Sequence, residues 1–430
     1  MQREIQVLEK PALMPGLLLS IQHLFAMFGS TVLVPNLFQV DPGIVLLMNG
    51  IGTLFYLILC RGLIPAYLGS SFAFISPVLV VLAGKTDNYP QALGAFIICG
   101  VVFIIVALIV KWAGTRWLDV LFPPAAMGAI VAVIGLELVP VASNMSGFIP
   151  DANGNLNYTN ITLAIITLAV TVIGNVMFRG FFKIIPILIG IVVGYVSAYF
   201  MNAVDMSKVT SAAFLKLPTI TYPEFNWTAI SIILPAALVV VVEHVGHLMV
   251  TSNIVGKDLS KDPGLHRSLL GNGISTVFSG FFGSTPNTTY GENIGVMALT
   301  RVYSVYVIGG AAVIAIIMSF FGNVSALIAN IPVPVMGGVS LLLFGVIAAS
   351  GLRILVDSKV DFSKPKNLLL TTLVIVIGIS NASLKLGDVE LKGMALATVL
   401  AIVLNLFFIL IDKLGLSNDH ESSVPDKSAH

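Results

Sequence analysis

Long apolar runs, separated by short polar or charged stretches, cover most of this chain. A bilayer core about 30 Å thick takes roughly 20 mostly apolar residues per helical span. On that measure fourteen blocks are candidates, near 13–33, 43–60, 66–83, 91–111, 122–142, 160–178, 184–202, 228–250, 267–282, 289–300, 303–321, 333–351, 367–384 and 394–412. The pattern predicts an all-α polytopic membrane protein with fourteen transmembrane segments. Two blocks are poor continuous helices. The third contains Gly69-Ser70-Ser71-Phe72-Ala73-Phe74-Ile75-Ser76-Pro77, and the tenth opens in Gly283-Ser284-Thr285-Pro286-Asn287-Thr288-Thr289-Tyr290-Gly291-Glu292-Asn293.

The two halves echo one another. Gln22-His23 in the first block corresponds to Glu243-His244 in the eighth, and the same offset of 221 carries Ser71 onto Glu292. Pro123-Pro124-Ala125-Ala126-Met127-Gly128 in the fifth block resembles Pro332-Val333-Pro334-Val335-Met336-Gly337 in the twelfth. Seven blocks separate matching elements. An odd number reverses direction, so two inverted seven-segment repeats are expected, a plan common among secondary transporters. Interrupted segments at matching positions mark the substrate site in such repeats, and irregular backbone at membrane depth survives only where it is buried or lines a cavity.

Composition agrees with this class, since 57% of residues are hydrophobic and only 10% charged. A net charge of +1 gives no reason to expect a nucleic-acid partner. With both termini cytoplasmic, seventeen of the Lys and Arg residues fall inside and five (Lys85, Lys208, Lys216, Lys385 and Lys392) outside. This favours a multi-pass protein of the inner (cytoplasmic) membrane. Residues 1–10 lack a signal-peptide layout, and the polar stretch 417–430 reads as a disordered cytoplasmic tail. Cys60 and Cys99 are far apart and read as buried apolar residues.

Ionisable groups within apolar blocks are costly and mark function. Glu243 and His247, four apart, share a helix face, while His244 points about 100° away. A carboxylate beside an imidazole suits proton coupling. Glu292 follows Tyr290-Gly291, where glycine lets backbone approach a ligand. Two carboxylates with the aromatics Phe72 and Tyr290 suit a flat ring rich in N–H groups. His23 reads as a lesser member, and Glu137 as exposed at the outer interface. Glu243-His244-Val245-Gly246-His247 is not the His-Glu-x-x-His zinc motif, so no metal is expected. With no nucleophile–base set either, enzymatic activity is not expected.

Glu292-Asn293-Ile294-Gly295-Val296-Met297-Ala298-Leu299-Thr300-Arg301, with Gln22-His23, resembles the signature of the nucleobase–ascorbate transporters, also called nucleobase–cation symporter family 2. The resemblance runs from about Pro11 to Leu414 and is nearest the bacterial uracil-carrying branch. It implies a core domain of segments 1–4 and 8–11 (13–112 and 228–321) and a gate domain of segments 5–7 and 12–14 (118–205 and 325–412). It also implies short antiparallel β-strands in segments 3 and 10, elevator-like movement, and a homodimer formed through the gates. In the implied site Glu243 and Glu292 bond the edges of uracil, and the N–H groups of Phe72 and Gly291 meet its carbonyls. Tyr290 lines the pocket with Phe72, Ser30 stands beside the ring, and Ser340 and Phe344 face it from the gate. Proton coupling is implied for Glu243, His247 and Glu292. A purine or xanthine symporter is the nearer alternative. An anion exchanger on the same fold is the farther one, since basic residues are missing near the breaks.

Overall fold

The computed structural model describes residues 4–82, 85–380, 382–386 and 389–417. Of the expected disordered tail, 418–430 lies outside them. Helix forms in every one of the fourteen apolar blocks. Among the described residues eight helices are long and apolar enough to cross a membrane: Leu13–Phe38, Pro42–Leu59, Tyr89–Ala113, Pro124–Met145, Tyr158–Met177, Trp227–Val255, Val333–Asp357 and Gly393–Lys413. Phe72–Leu82, Pro186–Phe200, Val305–Ser319 and Pro365–Ile379 are apolar but shorter. Leu265–Phe282 and Gly291–Thr300 are more polar, because Ser, Thr and Asn recur along them.

The chain forms two compact units, residues 4–112 with 138–345, and residues 113–137 with 346–417. Helices Tyr158–Met177 and Pro186–Phe200, implied to belong to the gate, fall in the first unit. At the first unit's centre, Pro42–Leu59 packs against Val305–Ser319 and Leu265–Phe282. Small residues permit this closeness, as they do wherever helices meet without a hydrophobic drive between them. A Cβ on Gly52 would lie 2.0 Å from Ser275 Oγ, and one on Gly100 would lie 2.8 Å from the Gly273 carbonyl.

Within this unit β1 (Leu68–Ser70) pairs antiparallel with β2 (Asn287–Thr289), in the register Leu68↔Thr289, Gly69↔Thr288 and Ser70↔Asn287. These are the strands implied for the two broken blocks.

In the second unit, Pro124–Glu137 packs against Pro365–Ile379 and Gly393–Lys413. Glu137 is only half-exposed, and its carboxylate accepts the Met394 N–H at 2.9 Å. The expectation of simple interface exposure is corrected: a carboxylate at a helix start satisfies first-turn donors and complements the helix dipole. The thirteenth block also ends sooner than its apolar run. Its helix stops at Ile379, and β3 (Ser383–Leu386) then pairs with β4 (Val389–Lys392).

Candidate functional site

The β1–β2 ladder organises the first unit's polar centre. Strands of three residues leave most of their backbone groups facing other elements, and neighbouring side chains meet them. Thr53 Oγ1 accepts the Leu68 N–H at 2.9 Å, and Thr276 Oγ1 donates to the Asn287 carbonyl at 3.1 Å. Ser70 and Thr285 hydroxyls bond across the pair at 2.6 Å.

Each strand feeds directly into a helix. Ser71 and Tyr290 are extended, with ψ of 128° and 126°, and helical turns begin at Phe72 and Gly291. First-turn N–H groups lack intrahelical acceptors, and the helix dipole puts partial positive charge there. Two segments more than 200 residues apart thus bring two helix N-termini to one ladder.

Aromatic rings gather there. Phe72 meets Tyr290 edge-on with centroids 6.0 Å apart, and Phe344 at 6.1 Å. Gly69 makes room, since a Cβ there would lie 2.7 Å from the Tyr290 ring. The Tyr290 hydroxyl donates to the Ser70 carbonyl and lies beside buried Ser30, which donates to the Met27 carbonyl at 2.9 Å. Ser340 is buried, but its hydroxyl donates to the Met336 carbonyl one turn back at 2.7 Å. Phe344 therefore makes the ring contact, while the Ser340 hydroxyl is engaged on its own helix.

Glu243 and Glu292 are both half-buried and close enough to interact electrostatically. Glu243 Oε2 is buried with no hydrogen-bond partner among the described residues. A buried acceptor without a donor costs about 1–3 kcal/mol, so it is suited to receive a ligand N–H. Gly291 is exposed, and a Cβ there would come within 3.3 Å of His247 Nε2. The imidazole thus lies over the start of helix Gly291–Thr300, one turn from Glu243, and its Nδ1 is 3.1 Å from Thr289 Oγ1.

His244 faces elsewhere, buried and 6.3 Å from the Tyr56 ring centroid. His23 is fully buried too. Asn293 donates to its Nδ1 at 3.1 Å and to its carbonyl at 3.3 Å, which ties the Gln-His motif to the Glu-Asn-x-Gly motif. Thr289 was not singled out in sequence. Its position beside Tyr290, in a strand too short to show alternation, gave no periodic signal. A separate cavity of about 760 Å³ in the same unit, beside Asp41 and Lys216, includes none of these site residues.

Residues 15–387 match the model Xan_ur_permease of the Permease family. The chain is 63% identical over 421 residues to the uracil permease of Paenibacillus larvae, covering 97% of this chain and 99% of that one. It is 62% identical over 413 residues to the uracil permease of Escherichia coli K12, covering 96% of each. The transmembrane domain of a cyanobacterium bicarbonate transporter, BicA, shares the fold with a TM-score of 0.65 at 15% identity, over 94% of this chain and 99% of that one.

Proposed function

The chain belongs to the Permease family, and from that premise we propose that it takes up uracil across the inner membrane together with a proton. It is a multi-pass membrane transporter, not an enzyme. One observation carries the substrate reading: two neighbouring carboxylates, Glu243 midway along Trp227–Val255 and Glu292 in the first turn of Gly291–Thr300, lie near Tyr290, whose ring packs with Phe72 and through it Phe344. Uracil is flat, with two ring N–H donors and two carbonyl acceptors. Glu243 and Glu292 accept the donors, and the N–H groups of Phe72 and Gly291 meet the carbonyls. Phe72 and Tyr290 cover the ring, Ser30 lies at its side, and Ser340 and Phe344 approach from the gate. Burial between aromatic faces with edge hydrogen bonds is how small polar rings are held.

In this reading fourteen segments form two inverted repeats, with both termini cytoplasmic. The β1–β2 pairing of the two broken segments supports it. The core (13–112 and 228–321) moves past a dimeric gate (118–205 and 325–412) in an elevator-like step. Protonation of Glu243, with His247 and Glu292 nearby, lets the loaded core move without an uncompensated buried charge. Anion exchange is disfavoured by two carboxylates in the site, since the likeness to the bicarbonate transporter concerns fold alone. A xanthine carrier would place the larger purine among the same rings.

Titration calorimetry on the purified protein tests the substrate. Uracil should bind, xanthine should bind at least about tenfold more weakly, and Glu292→Gln should weaken uracil by about tenfold or more through loss of a charge-assisted hydrogen bond. Tighter binding of xanthine, or of bicarbonate, would contradict the assignment.

A further inference from the structure

Behind the site runs a row of side chains that uracil binding does not use. His247 Nδ1 is 3.1 Å from Thr289 Oγ1, which is 3.4 Å from His244 Nδ1. His244 Nε2 is 2.7 Å from Ser268 Oγ, which is 2.6 Å from the Tyr56 hydroxyl. The Cys60 thiol lies beside that hydroxyl. Every link can both donate and accept a proton, and His244 is engaged through both ring nitrogens. Thr289, His244, Ser268, Tyr56 and Cys60 are all buried, so bulk water does not short-circuit the row, whereas His247 is half-exposed beside Glu243. The far end is the close of helix Pro42–Leu59, where Arg267 donates to the Leu59 carbonyl at 3.2 Å and exposed Arg61 follows. Those arginines belong to the set assigned to the cytoplasmic side.

We propose that this row carries the cotransported proton from the uracil site to the cytoplasm, with His244 as the two-ended relay. It rests on the proton-coupled reading above. A proton received at His247 Nε2 from Glu243 releases the Nδ1 proton to Thr289 Oγ1. Thr289 passes its own hydroxyl proton to His244 Nδ1, and His244 gives up its Nε2 proton to Ser268. Ser268 passes its hydroxyl proton to Tyr56, and Tyr56 gives up its own, by way of the neighbouring Cys60 thiol, when water reaches the close of helix Pro42–Leu59 beside exposed Arg61. One proton enters and one leaves, and every hydrogen bond in the row reverses its sense. Rotation of the hydroxyls and turning of the imidazoles restore the row.

Substitutions at the far links separate relay from scaffold, because Ser268 and Tyr56 do not touch the uracil site. Uracil counterflow in proteoliposomes, labelled for unlabelled without a gradient, needs the loaded carrier to move but needs no proton release. Gradient-driven accumulation needs both. Ser268→Ala and Tyr56→Phe should slow accumulation at least about tenfold while counterflow stays within about twofold, and Ser268→Thr should restore accumulation. Variants that accumulate like the wild type, or that lose counterflow in the same proportion, overturn the relay alone. Absence of uracil counterflow in the wild type overturns the transport reading and the relay with it.

Discussion

One residue of helix rotation, about 100°, separates Glu243 in the carboxylate pair from His244 in the core behind it. That turn divides one Glu-His-Val-Gly-His run between the proposed site and a buried hydrogen-bonded row. At the proposed site, Glu243→Gln mimics the protonated acid. It should keep uracil counterflow but remove the response of uptake to an inward proton gradient. Initial uptake rates with and without the gradient check this, and an unchanged gradient response would remove Glu243 from the coupling. Phe72→Ala deletes a ring that meets both Tyr290 and Phe344. It should weaken uracil binding by about tenfold, the scale of an aromatic contact, as read by calorimetry. At this scale the ionisable residues of the site were legible, because charge within an apolar block stands out. Thr289 was not, since a hydroxyl earns notice only when a fold puts it between two histidines. Glu137 was misread because its partner, the Met394 N–H, lies 257 residues away.

Blocks predicted helices well because a span-length apolar run has few alternatives in a bilayer. The three-residue strands were expected only through family resemblance, since so short a strand carries no readable period. β3 and β4 were missed because an apolar run does not record where its helix stops. Close helix approach gives a test at this scale. Gly52→Ala would drive a methyl into Ser275 Oγ and to within 2.7 Å of Asn287 Nδ2, the residue that starts β2. It should destabilise the protein by about 1–3 kcal/mol, seen as a lower melting temperature in detergent. A second test concerns Asp41, the N-cap of Pro42–Leu59, whose carboxylate accepts the Gly43 N–H at 2.9 Å and the Thr219 N–H at 3.0 Å, with Lys216 at 3.5 Å. Burial pushes its carboxyl up, but these N–H donors and Lys216 outweigh burial and hold it below the usual carboxylate range. A depressed folded-state value adds stability that is fully present above the ordinary carboxylate range and is lost as pH falls through the depressed value. Melting temperature followed down through that range should drop less steeply in Asp41→Asn than in the wild type. Identical slopes would show that Asp41 does not hold the 212–222 segment in place.

A mostly helical, multi-pass membrane class was legible in the sequence, because membrane burial accommodates 57% hydrophobic residues with 10% charged. Orientation was legible only as a bias of basic residues, and it makes its own prediction. With Cys60 and Cys99 buried, Lys208→Cys should react with a membrane-impermeant thiol reagent in intact cells, and Lys257→Cys only after permeabilisation. The reverse pattern would invert the topology and send the Tyr56–Cys60 end of the relay outward. Membership of the Permease family was legible through motif resemblance, whereas uracil against xanthine depends on pocket volume, which composition does not encode. The account's central claim is proton-driven uracil transport. Its most direct test is uptake of labelled uracil into proteoliposomes of the purified protein, with and without an inward proton gradient, and with unlabelled xanthine as competitor. The account predicts accumulation only with the gradient, unaffected by xanthine. Accumulation without a gradient, or uptake abolished by xanthine, would contradict it.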